Sequence, residues 1–126
     1  MSFSNYLETK VLDHVFGGTA YTAPATLYIG LYTAAPSDTG GGTEVSGTGY
    51  VRQSSGFTTS GATTSNTGAV EFPTAGSSWG TITHVGVFDA STAGNLLAYG
   101  ALTTSKLVES GDVFRIPAGD LDITLD

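Results

Sequence analysis

Two periods of hydrophobic spacing divide the chain. Between residues 2 and 16 apolar side chains recur every four positions, at Phe3, Leu7, Val11 and Val15, and Leu12 and Phe16 widen the stripe. That spacing lines one side of a helix of about four turns. Ser4 or Asn5 suits the N-cap, Asn5 and Glu8 have capping-box spacing, and Gly17-Gly18 supply a left-handed stop. So short a helix is marginal alone, and it must dock on its own domain or on a neighbour.

After Pro24 the period becomes two. Leu27, Ile29 and Leu31 alternate with Tyr28, Gly30 and Tyr32, which predicts a strand at 26–32 with an aromatic second face. Further strands are predicted at 50–53, 69–72, 81–89, 96–102, 106–108, 113–116 and 121–125. In the central one Ile82, His84, Gly86 and Phe88 share a face, and Val85 and Val87 take the other. Residues 33–49 and 54–68, nearly all Gly, Ser, Thr and Asn, read as long polar loops. About eight short strands after one helix predict a mainly β fold, an antiparallel β-sandwich or a jelly-roll-like barrel. Residues 1–18 form the helical arm, and 19–126 one β-sandwich domain.

Composition supports this and narrows the partners. The 126 residues are enough for one core, and 18 of them are Gly, which suits tight turns. Only 12% are charged, with a net charge of −7. The cations Lys10, Arg52, Lys106 and Arg115 are scattered, so neither nucleic-acid phosphates nor an anionic membrane finds a matching patch. Without cysteine there is no disulfide framework or thiolate metal site. No basic leader precedes an apolar run, and no stretch approaches the roughly 20 apolar residues of a spanning helix, so synthesis in a cytoplasm is expected.

Catalytic chemistry is thin. His14 and His84 lack a motif, and no Gly-x-Ser-x-Gly elbow is present. Asp120 and Asp122 point the same way on a strand, with Asp126 beyond them, yet no calcium loop is formed and a solvated edge strand explains them. The glycines at 40–42 and 47–49 precede neither a helix nor a lysine, so they are loop rather than phosphate cradle. Tyr28, Tyr32, Tyr50, Trp79 and Tyr99 would suit either a sugar platform or a core and interface, and the second reading is preferred. No cofactor and no enzyme activity is expected.

The residues at 4–18, 25–38, 49–53, 78–89, 95–106 and 118–125 carry a further signal. Ala-Thr-Leu-Tyr-Ile-Gly-Leu-Tyr-Thr-Ala-Ala-Pro-Ser-Asp, Ser-Trp-Gly-Thr-Ile-Thr-His-Val-Gly-Val-Phe-Asp and Asn-Leu-Leu-Ala-Tyr-Gly-Ala-Leu-Thr-Thr-Ser-Lys are the densest parts. In these the chain resembles a family of small tailed-phage and prophage structural proteins, often labelled tail fibre proteins. The resemblance implies a virion component made in the bacterial cytoplasm and assembled on the particle exterior. Two roles follow. The first is a capsid decoration, or cement, subunit, a homotrimer bound to the major capsid protein; the second is a tail fibre or tail-tip component meeting other tail proteins or host surface glycans. The decoration role is the expectation. Phe3, Leu7, Val11, Val15, Tyr28, Tyr32, Arg52, Trp79 and Arg115 are the expected interface residues.

Overall fold

The structure is a computed structural model, and it describes residues 1–125. Asp126, grouped above with the carboxylates, lies outside the described residues. The large sheet is built round β2 (Leu27–Ala34), β8 (Gly80–Phe88) and β9 (Leu96–Val108), in the order β9-β8-β2. Here the alternation of apolar residues is strongest, and β8 and β2 have a hydrogen-bonded strand on each side. β1 (Ser2–Phe3) extends it beyond β9, and β3 (Thr43–Glu44) and β4 (Gln53–Ser55) both pair with β2 at the far side. Two smaller sheets complete the fold: β7 (Val70–Glu71) with β10 (Arg115–Ile116), and β5 (Phe57–Ser60), β6 (Thr63–Asn66) and β11 (Asp122–Thr124) in the order β11-β6-β5. Every pairing is antiparallel.

The main core lies between the large sheet and the small ones. Ile29, Leu31, Ile82, Val85, Val87 and Val108 meet Val70, Phe72, Phe114, Ile116 and Leu121 in one buried cluster. Ile29, Leu31, Ile82 and Val108 are fully buried. A second cluster of Tyr32, Phe88 and Leu96, flanked by Tyr28 and Tyr99, sits apart from it. The mainly β fold with one N-terminal helix is as expected, in a sandwich-like arrangement; it is not a closed barrel.

Several boundaries differ for identifiable reasons. The helix, α1, runs Asn5–Val15 rather than from residue 2, because Ser2 and Phe3 are drawn into the sheet opposite Tyr99 and Ala98. The strands expected at 96–102 and 106–108 are one strand, β9, which absorbs extra residues where its register with β8 shifts between Ile82 and His84. Across that shift the alternation slips, so Ile82 joins Val85 and Val87 in the main cluster rather than Phe88. The polar stretch 54–68 is not a loop; it holds the β5–β6 hairpin, turned at Gly61, whose φ is +61°. The stretch 33–49 likewise contributes β3. Eleven strands result among the described residues.

Candidate interaction surface

Ser4 anchors α1 to the large sheet. Its hydroxyl oxygen accepts from the Leu7 N–H at 3.2 Å and its carbonyl accepts from Glu8 N–H at 3.0 Å, so Ser4 is the N-cap. Glu8 then falls one position too late for a capping box, and the expected Asn5–Glu8 pairing gives way to this single cap. The same hydroxyl donates to the Leu96 carbonyl at 2.5 Å, and the Ser4 N–H donates to the Leu97 carbonyl at 2.8 Å. At the other end Gly18 takes a φ of +71° and Thr19 N–H returns to the Asp13 carbonyl at 3.0 Å, the expected glycine stop.

The apolar stripe is divided between two directions. Phe3 packs against the main core, and Leu7 and Val11 are half-buried. Leu12, Val15 and Phe16 face outward, exposed by 57%, 60% and 81%. No residue of the helix is fully buried. Full burial of side chains this size is worth about 1.5–3 kcal/mol each, so the outer face of α1 is a reserve of unspent hydrophobic energy.

On the second cluster, Arg52 is held on every side. Its Nε and Nη2 donate to the two oxygens of Glu44 at 2.8 Å each, and Nη1 donates to the carbonyls of Ala90 and Ala93 at 2.9 Å. Its guanidinium lies 3.5 Å from the centre of the Phe88 ring, which in turn stacks on Tyr32. Arg52 therefore ties the turn after β8 to β3. Glu44 also accepts from the Tyr50 hydroxyl at 2.6 Å. Burial works to raise its carboxyl, and the hydrogen bonds from Arg52 and Tyr50 outweigh that, leaving it below the usual carboxylate range. Burial, with Glu44 beside it, pushes the Tyr32 phenol up to about 12. Tyr50 is pushed up as well, first by burial and then by its bond to Glu44.

Tyr50 closes a gap between β3 and β4. The Leu31 N–H has no strand partner there and donates to the Tyr50 hydroxyl at 2.9 Å. Substituting Tyr50→Phe leaves that buried amide orphaned and removes one support of Glu44. A loss of about 1–3 kcal/mol is expected, read as a lower midpoint in urea denaturation with an unchanged slope.

Two glycines make the aromatic layer fit. Gly30 and Gly86 are partners across β2 and β8. A Cβ on Gly30 would stand 2.8 Å from both Glu44 Oε2 and Phe88 Cε1, and one on Gly86 would stand 2.9 Å from Leu96 Cδ1.

The remaining expected site residues are dispersed. Trp79 is buried, donating its indole N–H to the Thr48 carbonyl at 3.0 Å, with Tyr50 edge-on to it at 5.5 Å. Tyr32 is also buried, Tyr28 and Tyr99 flank its cluster, and Tyr50 belongs to the main core, so the five aromatics form no common platform. Arg115 is exposed on β10 and, with Lys106, borders a groove of about 680 Å³ between β9 and the 115–122 segment. His14 Nδ1 accepts from the Tyr21 N–H, and His84 Nδ1 contacts the Thr83 hydroxyl. Asp122 accepts from Ser65, and among the described residues no three His, Asp or Glu side chains gather as a metal site. Among the described residues no helix is long and apolar enough to cross a membrane.

The clamp round Arg52 was missed by sequence reasoning, which took the residue for an intermolecular anchor. The available signal was the scarcity of cations: with only four Lys and Arg in the chain, Glu44 has few possible partners, and Arg52 is the nearest C-terminal to it.

The chain is thus an antiparallel β domain whose buried side-chain polar atoms all find partners among the described residues, and whose helix keeps an apolar face outside. The family model described as podophage GP4 fiber I protein gp80 matches residues 2–124, and the chain belongs to that family of phage fibre proteins. The resemblance read from the sequence is thereby confirmed, and the chain's role is structural, in a phage virion. No curated protein matches it.

Proposed function

We propose that the domain is a subunit of a tail fibre or tail tip, seated on its neighbour in the particle through the outer face of α1. The family match over residues 2–124 carries this reading, since the family is described by a fibre protein. It is preferred over the capsid decoration role, which rests on the chain's size, acidity, lack of cysteine and Gly/Thr-rich loops. The exposed Leu12, Val15 and Phe16 supply the apolar contact that such seating needs, and Gly17-Gly18 keep the helix from continuing past it.

Counting copies in purified virions tests the proposal. A fibre subunit is expected at a small fraction of the major capsid protein, and particles lacking it should stay intact on heating while failing to attach to the host. Near-equal abundance, with empty or burst shells in its absence, would return the domain to the capsid surface. A Phe16→Lys substitution is expected to change the isolated protein's stability by no more than about 0.5 kcal/mol, because the ring contacts little of its own chain and a cation suits the C-terminal end of a helix. The same variant should be lost from assembled particles, measured by its band in gradient-purified virions.

A further inference from the structure

We propose that the free edge of β5 is a self-association surface, on which β5 of a second copy of this chain pairs antiparallel about a twofold axis. This does not rest on the fibre reading.

β5 ends the three-stranded sheet, with β6 on one side and, among the described residues, no strand on the other. The phase of its backbone is fixed by three hydrogen bonds. Thr67 N–H donates to the Gly56 carbonyl, while Asn66 N–H and Leu125 N–H bond with the Leu121 and Ala62 carbonyls towards the β11 side. Gly56, Thr58 and Ser60 therefore turn their backbone to β6, and Phe57 and Thr59 turn N–H and C=O to the open edge. Thr58, Thr59 and Ser60 are exposed.

Proteins ordinarily guard such an edge with a charge, a proline, a bulge or extreme shortness. The other edges here are guarded. β9 bulges where its register with β8 shifts and carries Lys106; β11 has only three residues, including Asp122; β4 is equally short and follows Arg52; β1, β3, β7 and β10 are two-residue strands. β5 has none of these devices. Residues 53–70 contain no charge and no proline, and the β5–β6 register is unbroken over four pairs.

A second copy is the occupant that the charge and the phase fit. Two chains of net charge −7 repel wherever carboxylates meet, and this edge brings none together. Centring the axis on Thr58 sets Phe57 opposite the partner's Thr59 and Thr59 opposite the partner's Phe57. Each pair exchanges two backbone hydrogen bonds, and the two Thr58 side chains become close, non-hydrogen-bonded neighbours. One six-stranded sheet would then run through both copies. Four hydrogen bonds make a weak contact, with a Kd near millimolar, which becomes effective where the particle already holds two copies side by side.

Sedimentation equilibrium from micromolar to millimolar protein, with amide NMR over the same range, tests this. The wild type should reach a monomer–dimer equilibrium, with concentration-dependent shifts centred on the Phe57 and Thr59 amides. Thr58→Lys and Thr58→Glu alone should each raise the Kd by about fivefold or more, and mixing the two variants should restore a heterodimer. Thr58→Ala should leave the dimer in place, which separates charge repulsion from loss of the threonine. A monomer at millimolar concentration, a trimer, pairing of β5 only with another virion protein, or self-association unchanged by Thr58→Lys would overturn the proposal.

Discussion

Replacing Arg52 with alanine is expected to lower the unfolding free energy by about 3–5 kcal/mol, the range seen when one partner of a buried ion pair is removed. The side chain is 8% exposed and that of Glu44 25%, so water cannot compensate well. Three consequences combine: Glu44 loses its bidentate partner, the Ala90 and Ala93 carbonyls lose their donor, and the Phe88 ring loses the cation above it. Arg52→Lys should recover only a minor part, because an ammonium cannot serve both carboxylate oxygens and the turn from one position. Urea denaturation with far-ultraviolet circular dichroism reads both variants. A loss below about 1 kcal/mol for Arg52→Ala would show that the turn holds without it.

The pair also sets a pH dependence. Glu44 is depressed below its ordinary value of 4.5 in the folded chain, so the stability it contributes is complete above that value. It is lost as the pH falls through the lower, folded value. In Glu44→Gln that component of the acid slope should be absent, with lower stability at neutral pH.

Gly30→Ala carries the second large effect, about 2–3 kcal/mol of destabilisation by overpacking. The added methyl meets Glu44 Oε2 and Phe88 Cε1, and neither is free to retreat. The carboxylate is fixed by Arg52 and Tyr50, and the ring is fixed by Arg52 and Tyr32. Thermal unfolding checks this directly. In an Arg52→Ala background the same substitution should cost less, since the ring and carboxylate can then move, and a double-mutant cycle would measure that coupling.

These features were legible in the sequence to different degrees. The helix, β2 and β8 declare themselves because each buries a regularly spaced apolar set, the one signal a sequence states locally. The β5–β6 hairpin does not: its exposed faces carry Thr and Ser, so alternation is absent and only the β-propensity of Thr58, Thr59, Thr63 and Thr64 remained to read. The union of 96–102 with 106–108 was hidden by the register shift at Ile82, because the polar residues that a bulge absorbs look like a turn. The outward half of α1 was visible as a stripe too wide for one contact, although the sequence alone could not say which of its residues face the sheet. The Arg52 clamp joins positions far apart in the chain, and no local pattern announces it.

The absence of charge along the β5–β6 hairpin has an environmental meaning. A contact made by backbone amides and threonine hydroxyls has little for dissolved ions to screen. Between about 0.01 M and 1 M salt the screening length shrinks from about 30 Å to 3 Å, and ion-paired surfaces lose most of their reach. At the proposed joint the charge left to screen is the mutual repulsion of two copies of net charge −7, so salt would tighten it where it loosens an ion-paired contact.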